Sequence, residues 1–116
     1  MKKDLYTVVM VAAALLVLQA CASTFIAYKD GHGYYVGSES DTAYKLFCES
    51  GDLKKILADT TTLGQEMKDE LYQSNCGPER SHEKVKKLYQ TMTPEQRKDL
   101  RLAFKHNGYD INDMHC

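Results

Sequence analysis

The chain has 116 residues, and its 15 basic side chains nearly balance 16 acidic ones, for a net charge of -1. Acids and bases are interspersed along it, which argues against a surface for nucleic acid or for acidic substrates. Four cysteines, eight tyrosines and no tryptophan suit one small domain whose partly buried aromatic rings keep a hydroxyl at the rim.

The amino terminus opens on Lys2, Lys3 and Asp4, and residues 8–18 are then apolar without exception. That run suits the core of a secretory signal peptide and is shorter than the ~20 residues that span a bilayer. It closes on Leu18, Gln19, Ala20 and Cys21. A cysteine directly after a small residue, with leucine three positions before it, resembles the lipobox of bacterial lipoprotein precursors. The resemblance covers residues 1–21 only. It implies cleavage between Ala20 and Cys21, a diacylglyceryl thioether on the Cys21 thiol and a fatty acyl group such as palmitate on the new amino terminus. Residues 1–20 are then the signal peptide, and residues 21–116 one small periplasmic or envelope domain. Ala22 follows the cysteine where an Asp is the inner-membrane retention signal in this class, so the resemblance also implies the periplasmic leaflet of an outer membrane.

The physics of such an anchor is additive: several acyl chains, at ~0.8 kcal/mol per buried methylene, make dissociation negligible. Two other readings of the same residues remain. The uncharged stretch runs over residues 5–28, long enough for an uncleaved signal anchor and a single-pass membrane protein. A plain signal peptide cut after Ala20 would leave Cys21 free or disulfide-bonded.

In the mature part, Thr24, Phe25, Ile26, Ala27, Tyr28 and Lys29 form one strand-favouring run, and Tyr34, Tyr35 and Val36 a second. Asp30, Gly31, His32 and Gly33 lie between them, which predicts a β-hairpin over about residues 24–37. From about residue 40 to 108 the period becomes helical. Ser38 or Ser40 offers a cap, Ala43, Leu46 and Phe47 an apolar stripe, and Gly51 a stop. Asp52 is placed to cap a short helix whose apolar face is Leu53, Ile56 and Leu57, and Thr60, Thr61 and Thr62 break it. Residues 65–75 carry Met67 and Leu71 on one stripe and Tyr72 on another, and Gly77 and Pro78 end the segment. Residues 79–92 place Val85, Leu88, Tyr89 and Met92 on one face. Thr93, Pro94 and Gln96 then make a capping box and a proline start for a helix that buries Leu100, Ala103 and Phe104 and ends near Asn107 and Gly108. The last two faces are expected to meet as an antiparallel or crossed pair. Residues 109–116 read as a polar tail. The fold class is mainly α, a helical domain of about four to five short helices with an amino-terminal hairpin.

In an oxidising compartment a cysteine pair is expected to oxidise, and Cys48 with Cys76 is preferred because both lie in ordered segments, leaving Cys116 over. The cysteine spacing does not fit covalent haem or a thioredoxin-like pair. His106, His115 and Cys116 fall short of a zinc site, and Asp110, Asn112 and Asp113 lack the glycine and glutamate of a calcium loop. No metal or cofactor is expected beyond the lipid on Cys21. His32 between two glycines reads as turn chemistry, and Lys84, Lys86 and Lys87 as a solvated helix face or a contact for anionic headgroups. No nucleophile and base are paired in sequence, so no catalytic residue is assigned. The expected function is non-enzymatic: a lipid-anchored envelope protein that binds or positions another component of an outer-membrane or periplasmic assembly. Its partners are membrane lipid and another envelope protein. The alternative is a small lipoprotein enzyme or ligand carrier with a site between hairpin and helices, which a cleft with convergent polar groups would favour and a flat exposed tyrosine patch would not.

Overall fold

The computed structural model of the chain describes residues 25–112. Ala20 and Cys21, and with them the signal-peptide and lipidation expectations, lie outside the described residues, as do residues 113–116. Strand β1, Ile26–Lys29, and strand β2, His32–Tyr35, pair antiparallel with Lys29 opposite His32. Two residues join them: Asp30 has φ 52 and Gly31 φ 81. Positive φ at both positions gives a turn whose twist matches the strands, and Asp followed by Gly is a favoured pair for it. The turn is tighter than the four-residue reversal read from the sequence, because His32 and Gly33 already belong to β2.

Helix α1, Asp41–Tyr44, runs directly into a π-helical turn, Lys45–Glu49, closed by the Ser50 amide donating to the Lys45 carbonyl at 3.2 Å. Ser40 occupies the cap position without a side-chain cap bond, and the Ser38 hydroxyl accepts from the Ser40 amide instead, at 3.0 Å. Helix α2 spans Asp52–Asp59 with Gly51 before it, so Asp52 is the first helical residue and not the cap. Its amide takes the Ser50 hydroxyl as acceptor at 3.1 Å, which leaves its carboxylate for a longer-range partner. Helix α3 is Gln65–Cys76 and helix α4 is His82–Thr91. The sequence pattern placed the start of α4 at residue 79. The structure delays it to His82, because residues 77–80 close a turn, with the Arg80 amide on the Gly77 carbonyl at 3.1 Å, and Ser81 then caps the Lys84 amide. Helix α5, Pro94–His106, begins with the full capping box: Thr93 accepts from the Gln96 amide at 3.2 Å, and Gln96 accepts from the Thr93 amide at 3.0 Å.

The polar tail is the largest correction. Tyr109 is buried, and Asp110–Ile111 forms strand β3 against the second side of β1, giving a three-stranded sheet in the order β2-β1-β3. Asn112 completes the edge. Its side-chain oxygen accepts from the Ile26 amide at 2.6 Å, and its own amide donates to the Ile26 carbonyl at 3.0 Å. The physical reason is shared need, since β1 has an unpaired edge and the segment after α5 has a large ring to bury.

The fold is therefore mainly helical with an amino-terminal antiparallel hairpin. The helices do not pair as the sequence suggested. Helix α3 packs on α4, and α5 packs on α2 and β3. The apolar faces of α4 and α5 point into one core, but Phe25 stands between them, its ring 4.7 Å from Tyr89 and 6.0 Å from Phe104. Phe47 and Tyr109 extend the aromatic cluster on the far side of Phe104. Leu88 is only half-buried, so the α4 stripe is narrower than its spacing implied.

Candidate functional site

Side chains alternate across a strand, so the register of the sheet decides which residues meet the helices and which meet solvent. Phe25, Ala27, Tyr34 and Ile111 belong to the core or pack against it. Ile26, Tyr28 and Tyr35 fall on the opposite face. Ile26 lies across from Tyr35, and Tyr28 lies across from Gly33 on one side and Asp110 on the other. Tyr28 and Tyr35 are 41% and 50% exposed. The absence of a side chain at Gly33 is what lets the Tyr28 ring come so close to the β2 backbone. A Cβ at that position would stand 2.9 Å from Tyr28 Cε1 and 3.2 Å from Ile26 Cγ2.

The far end of β2 is clamped to the start of α4. His82 Nδ1 lies 2.6 Å from the Val36 carbonyl, and because a carbonyl can only accept, that nitrogen carries the proton. The same imidazole meets the Tyr35 ring edge-on at 5.2 Å. Arg80 donates to the Glu39 carbonyl at 3.0 Å and lays its guanidinium over the Tyr44 ring at 4.8 Å. The His82 ring braces Tyr35 without covering it, and Arg80 ties down the segment that follows β2. Neither Arg80 nor His82 stands out in the sequence, since both fall among the charged residues that introduce an amphipathic helix.

At the β3 edge, Leu102 of α5 is 44% exposed and shares a shallow depression with Lys98, Lys105, Asp110 and Ile111. On the sheet's other side the space between hairpin and helices is filled. Phe25, Val36, Leu53, Leu71, Val85 and Phe104 close around a void of about 10 Å³, too small for any ligand larger than a single water.

The remaining sequence candidates separate. Cys48, in the π-helical turn, and Cys76, at the end of α3, form a disulfide with Cα atoms 5.7 Å apart. Lys84 and Lys86 are paired with Glu79 at 3.5 Å and Glu83 at 2.9 Å. The hydrogen bond from Lys86, with its charge, holds Glu83 below the usual carboxylate range. Asn112 is committed to Ile26, and Asp110 sits in β3, so neither is arranged as part of a calcium loop. His32 is exposed opposite Lys29. Among the described residues no three His, Cys, Asp or Glu side chains converge as metal ligands, and no helix is long and apolar enough to cross a membrane.

One partly buried polar junction does bring distant elements together. The Tyr109 hydroxyl donates to Asp52 at 2.7 Å, and Lys29 lies 3.6 Å from the same carboxylate and 4.9 Å from the Tyr109 ring centre. Burial, with that carboxylate alongside, raises the Tyr109 pKa well beyond the ordinary phenol range. A phenol kept protonated in this way is a structural donor that ties β1, α2 and the segment between α5 and β3.

Comparison with protein-family models, with curated proteins and with solved structures finds no match for this chain. The functional reading therefore rests on the chain's own residues.

Proposed function

We propose that the protein is a lipid-anchored component of a bacterial cell envelope, held by acylated Cys21, whose folded domain acts by binding at the outer face of its sheet. The observation that supports this most strongly is the position of Phe25. Its ring is 1% exposed and wedged between Tyr89 and Phe104. Cys21 lies four positions earlier in the chain, and four residues reach at most ~14 Å. An anchor at Cys21 is thus joined to the core almost without a linker, and the domain stays at the membrane surface. The exposed Tyr28 and Tyr35 then favour a binding role over a site between hairpin and helices, where packing leaves little room.

Mass spectrometry of the protein extracted from membranes tests the anchor. The expected result is an amino terminus at Cys21 carrying a diacylglyceryl group. A mature membrane protein that still begins at Met1 would overturn the reading in favour of an uncleaved anchor.

A further inference from the structure

We infer that the outer face of the sheet, carried by Tyr28 and Tyr35, rests in the headgroup zone of the bilayer that holds the anchor. The inference deepens the proposed function and rests on it, because it names what the exposed face binds.

The first step is geometric. The Phe25 ring points into the core, and the next side chain, Ile26, points the other way, beside Tyr35. The described chain begins at this end of β1, where Ile26 pairs with Tyr35, so the reach of the anchor is measured from the Tyr35 end of the sheet. The reach of ~14 Å from Cys21 to Phe25 is about the length of β1 itself, at ~3.4 Å per residue. A domain tied that closely cannot turn this end far from the lipid.

The second step is chemical. The large apolar side chains exposed among the described residues are Tyr28, Tyr35 and Leu102. Two lie on the outer face. The third shares its depression with Asp110, the cross-strand neighbour of Tyr28. Tyrosine suits a membrane interface because its ring is apolar and its hydroxyl stays wet. Lys98 and Lys105 share the Leu102 depression and outnumber its one acid, Asp110, so cations that match headgroup phosphates lie at the β3 edge. The other lysine-rich surface, on α4, has two of its three charges paired with glutamates and is the weaker candidate.

The third step is one of magnitude. Three exposed side chains make a weak contact on their own. A short tether, however, raises the effective concentration to the millimolar range, so a contact of millimolar affinity is already about half-formed once the anchor is inserted.

The chain has no tryptophan, which allows single-tryptophan probes. Lipidated full-length Tyr28→Trp, Tyr35→Trp and Glu70→Trp, the last on an exposed position of α3, are each incorporated into phosphatidylethanolamine and phosphatidylglycerol vesicles. Those vesicles carry bromine-labelled phospholipid at shallow or deep acyl positions. The inference expects shallow bromines to quench Tyr28→Trp and Tyr35→Trp at least about threefold more than Glu70→Trp, with deep bromines giving little quenching. Hydroxyl-radical footprinting of the unsubstituted protein supplies a second readout, with lower oxidation of Tyr28 and Tyr35 in vesicles than in detergent. Protein that floats with the vesicles while all three tryptophans quench equally, or while both tyrosines oxidise as in detergent, overturns the docking and leaves the anchor standing. A face occupied instead by another envelope protein gives that result in pure lipid. Protein that fails to float overturns anchor and docking together.

Discussion

Asp99 illustrates how one side chain can hold two elements. From α5 it accepts the Thr61 amide at 2.8 Å, the Thr62 amide at 2.7 Å and the Thr62 hydroxyl at 2.6 Å, and so ties the loop between α2 and α3. Partial burial pushes its pKa up, but the hydrogen bonds from Thr62 and Thr61 outweigh that and leave it below the ordinary Asp range. A folded pKa below the unfolded one means that the stabilisation is present above the unfolded value, ~3.9, and is lost as pH falls through the folded value. Asp99→Asn should therefore be less stable than the parent at pH 7, and the gap between their urea midpoints should shrink by pH 3. A gap that stays constant would show that the carboxylate charge contributes nothing. Gly37 poses a different constraint. It has φ 81, and a Cβ there would stand 2.7 Å from Val85 Cγ2 and 2.9 Å from the Ser81 carbonyl oxygen. Gly31 has the same φ with open space around it. Gly31→Ala should cost ~1 to 2 kcal/mol from backbone conformation alone, and Gly37→Ala clearly more in the same denaturant melts. Equal losses would mean that the β2–α4 junction yields to the added methyl.

Among the elements, α5 was legible in detail because every signal for it is local. Thr93, Pro94 and Gln96 lie within four positions and carry their own geometry. Its two contributions separate cleanly by mutation. Thr93→Ala removes one capping bond and should cost ~1 kcal/mol, whereas Phe104→Ala empties a fully buried aromatic site and should cost ~3 to 5 kcal/mol. Denaturant melts of a soluble form lacking the anchor provide the comparison, and an equal loss would place the ring outside the core. Strand β3 was illegible for the opposite reason. Two residues have no period to read, and Asp110 and Asn112 look like solvated polar groups until the edge of β1 is brought to them. The late start of α4 was hidden because Glu79 and Arg80 extend the charged pattern of the helix while their backbone closes a turn. The pair Cys48 and Cys76 could be preferred from the sequence, since both sit in segments with clear helical periods. The candidate binding face was half legible: the tyrosines were evident, but which of them face outward depends on a register set by a two-residue turn that the sequence pattern left too wide.

At the scale of the molecule, both ends of the described chain are drawn into one centre, with Phe25 entering between α4 and α5 and Tyr109 packing against Phe47 and Phe104. The disulfide constrains the part between them. Cys48 and Cys76 are 28 positions apart, and closing a loop of that length in the unfolded chain is worth ~3 to 4 kcal/mol on the chain-entropy account. Small domains have only ~5 to 15 kcal/mol in total, so the bond is a large share of the stability. It spans the π-helical turn, α2 and α3, the region where α2 relies on α5 for cover and where Asp99 supplies an outside tie. Replacing both cysteines, as Cys48→Ala with Cys76→Ala, removes the cross-link without leaving an unpaired thiol at either position. The expected result is a native far-ultraviolet spectrum with the unfolding free energy lowered by ~3 kcal/mol. Adding a reductant to the parent should reproduce that loss, because it removes the same constraint on the unfolded chain, and should leave the double variant unchanged. A double variant within ~1 kcal/mol of the parent would mean that the folded helices alone hold the two segments together and that the unfolded chain is already compact enough to make the cross-link redundant.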